Sequence, residues 1–302
     1  MGFASNKRNT LVLMPALWLG GCGLLQTGLS QAPVLDPGGP IARSERDLMV
    51  TAIALMLTVV IPVFALTAGF AWRYRASNTR AAYRPEWSRS ASIETVVWTV
   101  PALIVCCIAY LVWVDTHRLD PYRPIGASAA ALKIGVISED WKWLFIYPAQ
   151  NIAAVNEFVF PADRPVHLTL TSDSAMSAFY IPGLGGQIFA MAGMTTQLNL
   201  RADGPGAFTG RNMQYTGDGF PAQTFATRAV TPSEFDAWIA TAKQSSDVLD
   251  AEHFKALERP SREAKPHYYS SVEPDLFGNV VAKYAQAHDA MQSMADAPTG
   301  AR

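Results

Sequence analysis

LMVTAIALMLTVVIPVFALTAGFAW, residues Leu48–Trp72, and IETVVWTVPALIVCCIAYLVWV, residues Ile93–Val114, decide the fold. The first runs 25 residues without a charge, and the second runs 22 with only Glu94 near its start. At about 1.5 Å per helical residue, each can cross a hydrocarbon core of roughly 30 Å. A lipid-exposed backbone must satisfy its own polar groups, so both stretches are expected as transmembrane helices of a hairpin spanning 47–114. Pro62 and Pro101 lie inside these helices, where a freed carbonyl usually marks a kink. The connecting loop, 73–92, carries Arg73, Arg75, Arg80, Arg84 and Arg89 against Glu86 alone. The excess of arginine places that loop in the cytoplasm and both chain ends outside it.

Composition narrows the function. The 302 residues allow a hairpin plus one domain of ordinary size, and a formal net charge of -1 gives no electrostatic footprint for nucleic acid. The three cysteines are Cys22, Cys106 and Cys107, so the region after the hairpin has no disulfide framework. Cys106 and Cys107 sit in the second membrane helix, where small apolar packing is the expected role.

Ahead of the hairpin, Lys7 and Arg8 precede a short apolar run, Leu11–Leu19, in the layout of a secretory signal. It ends in Leu19-Gly20-Gly21-Cys22, which resembles a bacterial lipobox, although glycine at 20 is less usual there. Residues 1–21 are therefore expected to be removed and Cys22 lipidated, with an uncleaved anchor as the alternative. Gly23–Arg46 is rich in Gly, Pro and Ser and is expected as an exported linker over 22–46.

Beyond the hairpin the pattern shortens to strands. Leu132–Ile137, Trp143–Tyr147, Glu157–Phe160, Val166–Thr171, Phe179–Ile181, Gln187–Ala190, Thr196–Leu200, Ala207–Asn212 and Gln223–Val230 are the candidates. Such spacing predicts an all-β sandwich or barrel, placed within 115–231. Thr231-Pro232-Ser233-Glu234 is a helix start with a Thr cap, Pro at the first position and Glu at the third. It opens a helix to about Lys243 and a C-terminal helical extension, 232–302, with helical periodicity again over Val280–Met291.

Ile93-Glu94-Thr95-Val96-Val97-Trp98-Thr99-Val100-Pro101, then Asp140-Trp141-Lys142-Trp143, then a β domain after a two-helix hairpin, resemble subunit II of a haem-copper respiratory oxidase. The resemblance covers nearly the whole chain from Cys22 to about His288 and implies a cupredoxin-like sandwich. In the cytochrome c oxidase branch this domain holds a dinuclear copper centre. Its ligands are an upstream histidine and a Cys-x3-Cys-x3-His-x2-Met loop, with a Glu between the cysteines. Here the loop's length is kept and its chemistry is not. Asn212 and Thr216 stand at the cysteine positions, Phe220 at the histidine, Gln223 at the methionine, Gln214 at the Glu and Ser177 at the upstream histidine. His117, His167, His253, His267 and His288 fall at none of them. Soft copper needs thiolate and imidazole, so no metal site is expected in this chain, with side chains such as Phe220 filling the space.

A copper-free domain of this kind resembles the quinol-oxidising branch, the cytochrome bo family, and Tyr268–Tyr284 is similar to the extension of its subunit II. The resemblance implies a non-catalytic subunit of a proton-pumping ubiquinol oxidase in the bacterial inner membrane. Both termini would be periplasmic, and the partners would be subunit I, other oxidase subunits and membrane lipid. Ubiquinol is the implied substrate of the complex, with haems and copper in subunit I. Glu94 would lie at the mouth of a proton-conducting channel whose body belongs to subunit I; a solvated interfacial Glu, or one capping the helix near Ser92, is the alternative reading. Trp141 and Trp143 match an aromatic segment near the electron-transfer site of the copper-bearing branch, and packing is their expected role here. A copper-bearing cytochrome c oxidase subunit II, disfavoured by the missing ligands, is the alternative within the superfamily, and a free-standing membrane-anchored lipoprotein with a β-sandwich binding domain is the alternative of a different class.

Overall fold

The computed structural model describes residues 33–81, 86–126, 131–262 and 265–284. The expected signal segment, Cys22, Arg84, His288 and the end of the periodic stretch Val280–Met291 lie outside those residues. The chain divides into two compact units, a hairpin over Ser44–Arg123 and a larger unit containing Pro124 onward together with the residues before Ser44.

The hairpin consists of α1, Pro40–Arg73, and α2, Ala91–Arg118, both of membrane-spanning length and apolar composition. No residue of α2 is buried, and many large side chains of both helices stand bare, Phe64 at 71% and Trp98 at 78% exposed. Side chains this apolar and this uncovered have lipid as their solvent. Arg75 lies over the Trp72 ring at 5.2 Å and donates to the Trp72 carbonyl at 3.2 Å, an interfacial arrangement of indole and cation.

Helix α1 begins at Pro40, eight residues before the apolar run, so the linker expected through Arg46 is shorter than its composition suggested. The residues just ahead of it, and its first turn to Arg43, belong to the larger unit. Gly38 donates to the Gly183 carbonyl at 2.7 Å and accepts from Asp203 N–H at 2.9 Å, and Arg43 pairs with Asp203 at 2.6 Å. At Gly39 a Cβ would lie 2.3 Å from the Arg201 carbonyl oxygen, so only glycine permits this approach.

The larger unit is a sandwich of two sheets. One has six strands in the order β11-β3-β2-β1-β5-β8 and the other five in the order β4-β10-β9-β6-β7. The strands are β1 Leu132–Glu139, β2 Lys142–Tyr147, β3 Ile152–Val155, β4 Glu157–Pro161, β5 Val166–Ser172 and β6 Ser177–Tyr180. They continue with β7 Gln187–Ala190, β8 Thr196–Leu200, β9 Gly206–Asn212, β10 Thr224–Val230 and β11 His267–Tyr269. β1–β5 and β4–β10 pair in parallel, and the other pairs are antiparallel. All nine expected strands are present; β3 and β11 were not expected.

Between the sheets lies an aromatic core. Trp143, Phe145, Phe158, Phe179 and Phe225 stack or meet edge to face with centroids 5.0–6.3 Å apart. The other face of the six-stranded sheet is covered by the C-terminal extension. Leu249, Phe254, Tyr269, Leu276 and Val280 pack there against Ile137, Leu144, Ile146, Ala153 and Val155. That is why β2 and β3 are buried at every position and read as unbroken apolar runs rather than alternating ones. The extension opens with α3, Pro232–Lys243, whose capping box is formed as the sequence predicts: Thr231 Oγ1 accepts from Glu234 N–H, and Glu234 Oε2 accepts from Thr231 N–H at 2.9 Å. It continues through α4, Ala251–Leu257, capped by Asp250, and helical residues 276–284.

β4 lies at the edge of its sheet, and the buried Tyr147 hydroxyl serves both backbone groups of Val159, donating to its carbonyl at 2.9 Å and accepting from its N–H at 3.0 Å. Removing the hydroxyl strands two buried groups. Tyr147→Phe is expected to destabilise the sandwich by about 1–3 kcal/mol without changing its fold, checked by thermal unfolding of the purified chain. An unchanged midpoint would contradict it.

Candidate functional site

The positions at which the resemblance places copper ligands gather at one end of the sandwich. Ser177 opens β6, Asn212 closes β9, Gln214 and Thr216 lie in the loop that follows, and Phe220 begins a 3-10 turn, Phe220–Ala222, ending against Gln223. Asn212 N–H donates to the Gln223 carbonyl at 3.0 Å, so the loop is closed at its base.

Within it the side chains form a closed network. Asn212 Oδ1 accepts from Ala178 N–H at 2.8 Å and Gln214 N–H at 2.9 Å. Asn212 Nδ2 donates to Gln223 Oε1 at 2.8 Å and Thr216 Oγ1 at 3.4 Å, and Thr216 Oγ1 donates to Gln223 Oε1 at 3.2 Å. Gln223 Nε2 reaches Ser138 Oγ at 3.2 Å and the Glu139 carbonyl at 3.4 Å, and Ser138 Oγ donates to Ser177 Oγ at 2.8 Å. Ser138, Ser177, Asn212 and Gln223 are all buried. Both ends of both amides are thus satisfied, the condition under which a buried polar network rigidifies rather than destabilises.

Four of the six positions meet here: Ser177, Asn212, Thr216 and Gln223. Gln214 contributes its backbone N–H. Phe220 does not fill the centre as expected; it is half-buried, with its ring 5.9 Å from that of Tyr215. The amides occupy the centre because Gln223 and Asn212 span it by hydrogen bonding. Ser138 was missed by sequence reasoning. Its signal was a polar pair, Ser138-Glu139, closing a strand that is otherwise largely apolar.

These groups are neutral hydroxyls and amides, hard donors at best, and do not fit a copper pair that requires bridging thiolates. Among the described residues, no three His, Cys, Asp or Glu are placed to hold a metal ion. His117, His167, His253 and His267 bond instead to Trp113 O, Asn199 Oδ1, Asp250 Oδ1 and Asp247 Oδ2.

Trp141 and Trp143 both pack. Trp143 is wholly buried in the aromatic core. Trp141 occupies the β1–β2 turn at φ 64°, a conformation costly for a bulky residue unless its surroundings impose it. They do: Nε1 donates to the Thr216 carbonyl at 3.0 Å, Arg262 lies over the ring at 5.5 Å, and the indole fills the space of a Gly219 side chain, whose Cβ would be 2.0 Å from Trp141 Cδ2.

In the hairpin unit, Glu94 lies in the first turn of α2, with its carboxylate 3.4 Å from Arg89 Nε. Its N–H bonds to the Ser90 carbonyl at 3.0 Å, and Ser90, not Glu94, is the N-cap. An exposed pair of this kind contributes about 0–1 kcal/mol, so it does little to hold the carboxylate in place.

Residues 243–288 match the family described as the COX Aromatic Rich Motif. The chain is 46% identical over 93% of its length to the cytochrome bo(3) ubiquinol oxidase subunit 2 of Pseudomonas aeruginosa, covering 82% of that protein. It is 45% identical over 90% of its length to the ubiquinol oxidase subunit 2 of Acetobacter aceti, covering 86% of it. A solved structure, the periplasmic domain of cytochrome oxidase subunit II of Bradyrhizobium japonicum, aligns with 38% of this chain and 95% of its own at 25% identity and a TM-score of 0.37. By its identity to these subunits over most of their length, the chain belongs to the ubiquinol oxidase subunit 2 family.

Proposed function

We propose that this chain anchors and completes a quinol-oxidising terminal oxidase without itself carrying electrons. The observation that supports this reading is the closed amide–hydroxyl network at the copper-ligand positions. A sandwich whose would-be metal centre is filled by satisfied neutral groups has no electron-transfer function to perform, but it keeps its shape. In this reading electrons come from ubiquinol within the membrane to subunit I, which holds the haems and copper. A copper relay at the outer surface is then unnecessary.

Topology follows from the arginine-rich loop. With 73–92 in the cytoplasm, the sandwich and both termini are periplasmic, and Cys22 carries the lipid anchor. Glu94 then lies at the cytoplasmic edge of α2, an ionisable group where the membrane meets water. There it takes up protons and passes them to a channel in subunit I. Its weak pairing with Arg89 suits that role, since a carboxylate held by a strong partner would exchange protons poorly.

Three measurements test these assignments. The purified complex should turn over on ubiquinol and at most marginally on cytochrome c; faster turnover on cytochrome c would overturn the electron route. Glu94→Gln should leave assembly and haem content intact while slowing ubiquinol turnover by on the order of tenfold or more, as expected when a proton-transfer group is neutralised. Turnover equal to the parent in a fully assembled complex would remove Glu94 from the proton path. Mass spectrometry of the mature N-terminus should find residues 1–21 absent and a diacylated Cys22, whereas an intact Met1 or an unmodified cysteine would sink the lipid anchor.

A further inference from the structure

Beside the amide network, on the outer face of the six-stranded sheet, the C-terminal extension meets the sandwich at a cluster of charged groups. Glu139, the last residue of β1, is 1% exposed, and its Oε1 has no hydrogen-bond partner. Asp173 from the β5–β6 connection, Lys142 at the start of β2, and Glu258 and Lys283 from the extension surround it. Lys283 links these elements: its ammonium donates to both Asp173 oxygens, at 2.9 and 3.1 Å, and to Glu258 Oε1 at 2.9 Å. Tyr284 OH donates to the Asp173 carbonyl at 2.6 Å, and the buried Lys142 ammonium donates to the Arg259 carbonyl at 2.7 Å and the Asp140 carbonyl at 3.4 Å. The segment after α4 and the helical residues 276–284 are therefore both fastened to the sheet at this one place.

Charge decides whether the fastening holds. With Glu139 neutral, Asp173 and Glu258 balance Lys142 and Lys283. Burial first, and then the neighbouring Asp173, push the Glu139 carboxyl up to about 9, so at neutral pH it keeps its proton. Losing that proton would place a third negative charge in the cluster, on a group with one oxygen already lacking a donor. A buried charge without a donor is expensive, and the strain is relieved by lifting the covering segment so that water enters. We propose that Glu139 is a proton-operated catch on the C-terminal extension: neutral, it lets residues 251–262 and 265–284 seat on the six-stranded sheet, and ionised, it loosens them.

A carboxyl raised above its ordinary value of 4.5 is protonated in the folded chain over a range where the unfolded chain has already lost the proton. Its effect on stability is therefore least adverse below about 4.5 and grows more adverse as pH rises toward about 9.

Hydrogen exchange of the assembled complex tests this. Corrected for intrinsic chemistry, protection of 251–257 and 267–284 in the parent should fall about tenfold more than that of β9 and β10 between roughly pH 7 and pH 10. Glu139→Gln should abolish the extra loss, and Lys283→Met should leave the extension loose at every pH. A protonated-carboxyl infrared band present in the parent at neutral pH should vanish in Glu139→Gln. If that variant does not assemble, Glu139→Met supplies the same neutral position. An equal pH-dependent loss in parent and neutral variant, or an infrared band unchanged by the substitution, would overturn the proposal.

Discussion

The structure depends on a sheet that must be covered on both faces. β2 and β3 bury every side chain, and β1 buries all but Lys133, so these strands cannot face water on either side. The second sheet and its aromatic core cover one face. The other is covered only because the chain continues past β10 into an extension that returns as β11 and helical residues 276–284, laying Phe277 so close to Gly135 that a Cβ there would come within 3.2 Å of the ring. The segment matching the COX Aromatic Rich Motif thus supplies the cover of that outer face, with Phe254, Tyr269, Leu276 and Val280 buried against it. Tyr268 and Trp238 both donate to Glu157 Oε2, tying the extension to the edge strand β4 as well.

At the opposite extreme of chemistry, the loop at one end of the sandwich is closed by its own hydrogen bonds. A metal site is a set of ligands held by a closed backbone loop, and the Asn212–Gln223 backbone pairing still closes this one. Where a metal would have satisfied ligands electrostatically, two amides and three hydroxyls satisfy one another. Substituting any single member would leave partners unmatched, so the set behaves as a unit.

Much of this was legible in the residues. The hairpin was evident from the length of two apolar stretches that hold no charge but Glu94. The capping box at Thr231–Glu234 was readable because local hydrogen bonding dictates it. β3, Ile152–Val155, escaped because four small apolar residues after a turn carry no periodicity, and β11 because its three residues are strand only by pairing with β3. The positions named by the resemblance could be counted along the chain, but Ser138 could not, since its role arises only where the end of β1 meets the start of β6 across the two sheets. Glu139 escaped for the same reason: its neighbours Asp173, Glu258 and Lys283 are distant in sequence and converge only when the extension folds back.

The loop from Asn212 to Gln223 has an interior complete without copper. Titrating the purified, folded chain with copper under reducing and mildly oxidising conditions, followed by removal of free metal and electron paramagnetic resonance with near-infrared absorption, tests it directly. The account predicts no stoichiometric copper and no mixed-valence band. A stoichiometric, spectroscopically dinuclear copper centre would contradict it.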